Sequence, residues 1–363
     1  CTGPRRRPAT GAIACRTAPC REPPLFPRPR RPADNVSMRL CFLLLACLFG
    51  ACALCAQVLI LHKGDDSLGL YDPAAAKLIT KIPVGSKPHE FAVTPDGRFA
   101  FVTNYGVDSW TEDKQGGNTL TVVDLAARKP DGEISLGVHH RPHGIQLGRS
   151  GRLYVTCDFP PSLAVIDSRR RRLLHAIPVS GKLPHLVAVT ADERQAWTAD
   201  SGSGTVSVID LRNRRQRGSI EVGGVPMGIA LSPDEKTLYV GTRTANTVVV
   251  VDAVTNTVKR KIGVPGQPSR TVVSPDNRWV YVSLIESGEV AIIDASTLLE
   301  VRRARVGSHA EGIRLHPESN TLFVSAQGDN RTVRLRLPSL EPVTVFETAS
   351  KPDPIYVLRD SGK

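Results

Sequence analysis

Seven residues at one repeating position carry most of the chemistry in this sequence. Each follows an anchor residue (Pro88, Pro142, Pro184, Pro226, Pro268, Ala310 or Pro352), and in chain order they are His89, His143, His185, Met227, Ser269, Glu311 and Asp353. Imidazole and carboxylate are ligands for zinc, iron, copper or manganese. Histidine is also the usual general base near neutral pH. A repeated polar residue can equally serve only to hydrogen-bond a neighbouring loop. Structural use, a metal or small-ligand site and a catalytic site therefore all stand open at this point. In favour of a site, the position changes chemistry from copy to copy while its surroundings persist.

Those surroundings define the elements that must hold it. From Pro142 onward the anchors recur every 42 residues, and only the first interval, from Pro88, is longer. A second recurring feature is an alternating strand ending in Asp: 67–72, 119–124, 162–167, 205–210, 247–252 and 289–294, with a degenerate copy at 332–337. Short strands lie on either side, separated by turn residues such as Ser201-Gly202-Ser203-Gly204. Four strands per repeat of this length is the signature of a propeller blade, and seven copies lie within the usual range. The expectation is an all-β, seven-bladed propeller of four-stranded antiparallel blades over residues 57–363. The chain enters at Val58 in second-strand phase and ends on an innermost strand at 353–359, so the two ends should complete one blade and close the ring. On a closed ring Glu311, Asp353, His89, His143 and His185 are consecutive around the channel mouth.

Phe101-Val102-Thr103-Asn104, Tyr154-Val155-Thr156-Cys157 and the turns Pro95-Asp96-Gly97, Pro233-Asp234-Glu235 and Pro275-Asp276-Asn277 resemble the YVTN β-propeller repeat. The resemblance covers residues 58–359. It extends to the heme-binding propellers of denitrification proteins and, more distantly, to the propeller lactonases. It implies fold; the family's roles range over surface-layer, binding and enzyme-associated proteins, so it does not imply function.

Three further residues are candidates for ligand binding. A ten-residue insertion, 105–114, lengthens the loop of the second repeat and carries Trp110, read as a lid over the mouth or as an aromatic packed on the adjacent blade. Asp200 belongs to loops expected on the same face, with Asp65, Asp66, Asp158, Glu286 and Asp329. Arg270 is read either as a partner for an anionic ligand group or as a solvent-facing arginine. Basic runs such as Arg169–Arg172 and Lys259-Arg260-Lys261 fall at the other turns, where Lys and Arg also guard outer strand edges. The expectation is thus an acidic mouth and a basic opposite face.

The net charge of +12 and the cysteines are concentrated at the N-terminus. Residues 1–37 hold eight Arg and two acids, and read as a non-translated or disordered extension. Met38, Arg39, the apolar run from Leu40 and the small residues 51–56 read as a signal peptide over 38–56. This implies export to the periplasm or beyond, with a lipid-anchored form through Cys52 as the second choice. Beyond the signal the surplus falls to five positive charges, and Cys157 is the sole thiol, read as a buried filler. Phosphate-loop, His-Glu-x-x-His and nucleophile-elbow motifs are absent. So is Cys-x-x-Cys-His, which excludes covalent heme, while non-covalent heme through a channel histidine stays open as a lesser alternative to a divalent metal. No aromatics interleave with the arginine runs, which argues against nucleic acid. The expected protein is a monomer without a membrane span beyond its signal. It would act as a binding or scaffold module for a protein or small-molecule ligand, with a metal-assisted hydrolase of the lactonase type as the alternative.

Overall fold

A computed structural model of the chain describes residues 57–316 and 318–358. The extension 1–37 and the targeting segment 38–56 lie outside the described residues. The described residues form seven four-stranded antiparallel sheets arranged as a ring. Blade 1 joins Pro352–Val357 to Val58–His62, Ser67–Asp72 and Lys77–Pro83, so the first and last described strands complete one sheet. Val58 pairs with Val357 and Leu59 with Tyr356. Blades 2 to 7 follow as 88–135, 140–178, 184–221, 226–263, 268–305 and 310–347. No described helix is long and apolar enough to cross a membrane.

Burial follows strand position within each blade. Second strands such as Val58–His62 are buried throughout, because both faces meet neighbouring blades. Outermost strands are exposed apart from a single apolar pin, Ile82, Ile134, Ile177, Ile220 or Ile262 in blades 1 to 5. The core lies between blades. Leu59, Leu61, Leu68 and Leu70 of blade 1, for instance, pack on Phe91, Val93, Ala100 and Val102 of blade 2. Each such side chain contributes roughly 1.5–3 kcal/mol by leaving water. Cys157 is fully buried in the core between blades 2 and 3.

The recurring Asp and Pro-Asp motifs are turn chemistry. Asp72 Oδ1 accepts hydrogen bonds from the backbone N–H groups of Ala74 and Ala75, both at 2.8 Å, and Asp252 does the same for Val254 and Thr255. In the Pro-Asp-x turns the third residue is left-handed, with φ of 69° at Gly97 and 60° at Asn277.

Candidate functional site

In four of the seven blades the residue after the anchor is fixed by a hydroxyl group of the preceding blade. Thr156 Oγ1 accepts the Gly144 N–H at 2.8 Å and donates to the His185 carbonyl of the next blade at 2.7 Å. Thr103 likewise accepts from Glu90 and donates to the His143 carbonyl at 3.0 Å. Ser283 holds the Glu311 carbonyl at 2.7 Å and Ser325 the Asp353 carbonyl at 2.9 Å. The Thr of the YVTN-like motif is therefore a clip between blades. Ala199 lacks the hydroxyl, and there the His185 ring takes over, its Nδ1 donating to the Met227 carbonyl at 2.9 Å. A carbonyl only accepts, so this bond assigns the Nδ1–H tautomer. Close approach at the axis also explains the glycine two residues past the anchor: a Cβ on Gly144 would stand 2.4 Å from the His185 carbonyl oxygen.

The clips stack three imidazoles. Ring centroids of His89 and His143 are 4.3 Å apart, and those of His143 and His185 are 3.9 Å apart, with interplanar angles of 35° and 38°. Tyr105 meets His89 edge-on at 4.4 Å. Burial lowers all three histidines, His185 to about 3 and the others well below the usual value; Lys63 and Arg270 push in the same direction. Neutral rings can stack without charge repulsion. Nδ1 of His89 and of His143 are buried and have no hydrogen-bond partner. Beneath Tyr105, its hydroxyl donates to Asp158 Oδ2 at 2.6 Å; burial pushes Asp158 up to about 7, and the Tyr105 phenol upward as well.

The carboxylates do not join this stack. Asp353 is fully buried, with Lys63 Nζ at 2.9 Å and Arg270 Nη2 at 3.1 Å from both of its oxygens. Burial opposes its charge, but Arg270 and Lys63 outweigh it and hold the carboxyl below its usual range. Arg270 also pairs with Glu90, which burial pushes up to about 7 against the pull of that guanidinium. Arg270 is thus a buried tie from blade 6 to blades 1 and 2, which replaces the solvent-facing reading. Glu311 is buried and lines the cavity near Lys63. Among the described residues no group of three or more His, Cys, Asp and Glu is placed to hold a metal ion. Rings lying over one another cannot aim their nitrogens at one centre ~2.0–2.1 Å away, and both Asp353 oxygens are engaged. The five-residue set does not fit a metal.

What His89, His143, His185 and Glu311 do line is a cavity of about 500 Å³ at the channel mouth. Trp110, on the inserted loop, lines this cavity and is 55% exposed. Fully buried Arg141 holds that loop: its guanidinium donates to the carbonyls of Trp110, Glu112 and Lys114 and lies 4.8 Å over the Phe159 ring. Asp200 does not reach the cavity. It is buried inside blade 4, where it accepts hydrogen bonds from Thr198, Thr205 and Ser207, with burial raising it to about 6. Asn104 has the equivalent place in blade 2, bonded to Thr119 and Thr121.

Alternation along the strand sends the next residue to the mouth instead. The residues one past this position include Lys63, Tyr105, Asp158, Ser201, Arg243 and Ile285, and all of these line the cavity. Five of them meet the residue before their blade's anchor: the N–H of Lys63 donates to the Lys351 carbonyl, Tyr105 to Lys87, Ser201 to Leu183, Arg243 to Val225 and Ile285 to Gln267, at 2.8–3.2 Å. That pre-anchor residue is left-handed in six of the seven described repeats, with φ of 47° at Lys87, 52° at Leu183 and 53° at Lys351. Of the first position, Asp158 and the inserted loop holding Tyr105 were expected at the mouth; the pre-anchor residues went unread, although they share the register of the anchors. The mouth is mixed in charge rather than acidic: Asp108, Asp158 and Glu311 line the cavity beside Lys63 and Arg243, and Lys87 and Lys351 stand at the adjoining opening, while Asp200 is hydrogen-bonded inside blade 4.

No family model and no curated protein matches the chain. Solved structures do. Hydrazine synthase of Kuenenia stuttgartiensis superposes with a TM-score of 0.67 at 19% identity, over 76% of this chain and 91% of that one. A functionally unknown protein from Desulfotomaculum acetoxidans gives 0.70 at 15% identity over 84% and 99%. The periplasmic gluconolactonase PpgL of Pseudomonas aeruginosa gives 0.68 at 17% identity, also over 84% and 99%. At such identities the likeness shows the propeller fold alone.

Proposed function

We propose that this propeller is an exported binding module that holds a small organic ligand in the channel-mouth cavity, against the imidazole stack. The observation that carries the reading is the pair of buried, unpartnered Nδ1 atoms of His89 and His143, two residues that line an open cavity of about 500 Å³. Leaving a buried polar atom unsatisfied costs about 1–3 kcal/mol, which a ligand hydrogen bond would recover. A concave site with a few polar groups among apolar and aromatic walls is the usual form of a small-molecule site. Met227, Leu183, Val225 and Ile285 supply the apolar part. Export rests on the segment 38–56, and the YVTN-like repeat is compatible with a binding role. The protein is read as a monomer.

Metal-assisted lactone hydrolysis is the alternative, and it needs an ion that the five ring residues are not arranged to hold. The purified protein separates the two. Metal content, an absorption spectrum and lactone hydrolysis are measured beside mass spectrometry of molecules released on denaturation, for the wild type and for His143→Leu. The expected result is a retained organic molecule whose affinity falls about tenfold in the variant, the loss of one hydrogen bond, at an unchanged melting temperature. Stoichiometric metal with hydrolysis, or equal retention by the variant, would contradict the binding reading.

A further inference from the structure

We infer that the ligand is an organic anion, whose acidic group sits in a cationic recess beside the imidazole cavity. The inference rests on the binding reading above and adds the chemical class of the ligand. The recess has a volume of about 550 Å³ and is lined by Lys63, Lys87, Arg243, His309, Gln327 and Lys351. It shares Lys63, His89, Asp108 and Arg243 with the cavity, so the two spaces are contiguous.

Its charges do not cancel. Asp108 is the one carboxylate on the described lining, and it pairs with Lys87 at 2.8 Å. Lys63 is engaged by Asp353. Arg243 and Lys351 remain. Arg243 uses only Nε, donating to Gln267 Oε1 at 2.8 Å, and its Nη groups bond to nothing among the described residues. The Lys351 ammonium has no ion pair among them either.

A third group points the same way. Gln327 Nε2 is buried and has no partner. An amide N–H₂ only donates, so the missing partner is an acceptor. Guanidinium, ammonium and amide donors together fit the oxygens of a carboxylate or phosphate, and they repel a metal ion or an amine. The adjoining imidazole stack, Tyr105 and Trp110 offer ring faces and edges to a flat, conjugated body. The two spaces together describe a planar molecule with one acidic end.

The experiment measures binding of 2-naphthoate, 2-naphthamide, 2-naphthyl phosphate and inorganic phosphate to the purified protein by calorimetry. The same titrations are made on the Arg243→Met, Lys351→Met double variant. In the wild type, naphthoate or naphthyl phosphate should bind roughly 10- to 100-fold tighter than the neutral amide, the worth of charge-assisted hydrogen bonds. That preference should largely vanish in the double variant, with the acids falling to about the affinity of the amide for the same variant. Whichever acid binds tighter, and whether phosphate alone binds, identifies the acidic group. Equal affinity for acid and amide in the wild type overturns the inference and leaves the cavity reading standing. Binding of none of the naphthyl probes overturns both.

Discussion

His62 shows how one buried imidazole shapes the behaviour of this protein. It is fully buried in blade 1, with Nδ1 3.0 Å from Ser67 Oγ and Nε2 2.9 Å from Tyr71 Oη. Gly69 faces it, because a Cβ there would stand 2.5 Å from the ring. Burial lowers His62 to about 4, with Asp65 opposing and Lys81 assisting. An unfolded histidine titrates near 6.5. As pH falls below that value the unfolded chain takes up a proton that the folded chain refuses, so stability present above pH 6.5 is lost toward pH 4. His62→Asn removes this titration and places at the site the amide that blade 2 carries as Asn104. Chemical denaturation should find the wild type losing about 2 kcal/mol relative to the variant between pH 7.5 and pH 5. A stability gap that does not change with pH would contradict the assignment of a neutral buried ring.

At the scale of elements, the hydroxyl clips decide how accurately the mouth is built. Thr156 satisfies two buried backbone groups at once, one in blade 3 and one in blade 4. Thr156→Val keeps the shape of the side chain and orphans both. Denaturation should record a loss of about 1–3 kcal/mol, and the His143–His185 stack should loosen. A loss under about 0.5 kcal/mol, the range of a neutral surface change, would show that the clip is incidental. The clip also explains what the repeat made legible. The strands ending in Asp are found at 67–72, 119–124, 162–167, 205–210, 247–252 and 289–294, as the alternation indicates, and the degenerate copy is Arg331–Arg336. These elements repeat a local pattern, and local patterns can be read. Asp200 was misplaced because the alternation that sends it into blade 4 depends on where the second strand ends, a boundary one residue wide. Arg270 was misread for a different reason. Its partners Asp353 and Glu90 lie 83 and 180 positions away in sequence, and only ring closure brings them to it.

At the largest scale, the described residues form a ring whose two faces differ in chemistry. Turns such as Thr94–Asp96, Gly148–Gly151 and Ser168–Arg171 share one face, where Arg149, Arg169 and Arg171 gather. The other face holds the imidazole cavity and its cationic recess. Ring closure by the two chain ends sets Lys63 beside Lys351 and sends Arg270 across to Asp353, so the floor of the site exists only in the closed ring. The charge of +12 belongs mostly to the N-terminal segment, and the proposed ligand site rests instead on the few charges left unpaired at the mouth. The central claim is that the neutral imidazole stack meets a ligand. Histidine-selective ¹⁵N labelling tests it directly, because the chain has nine histidines and only three belong to the stack. On titration with 2-naphthoate, the side-chain resonances of His89, His143 and His185 should shift, while those of the outlying His139, His175 and His316 stay fixed. Unmoved stack resonances, or shifts confined to the outlying rings, would contradict the account.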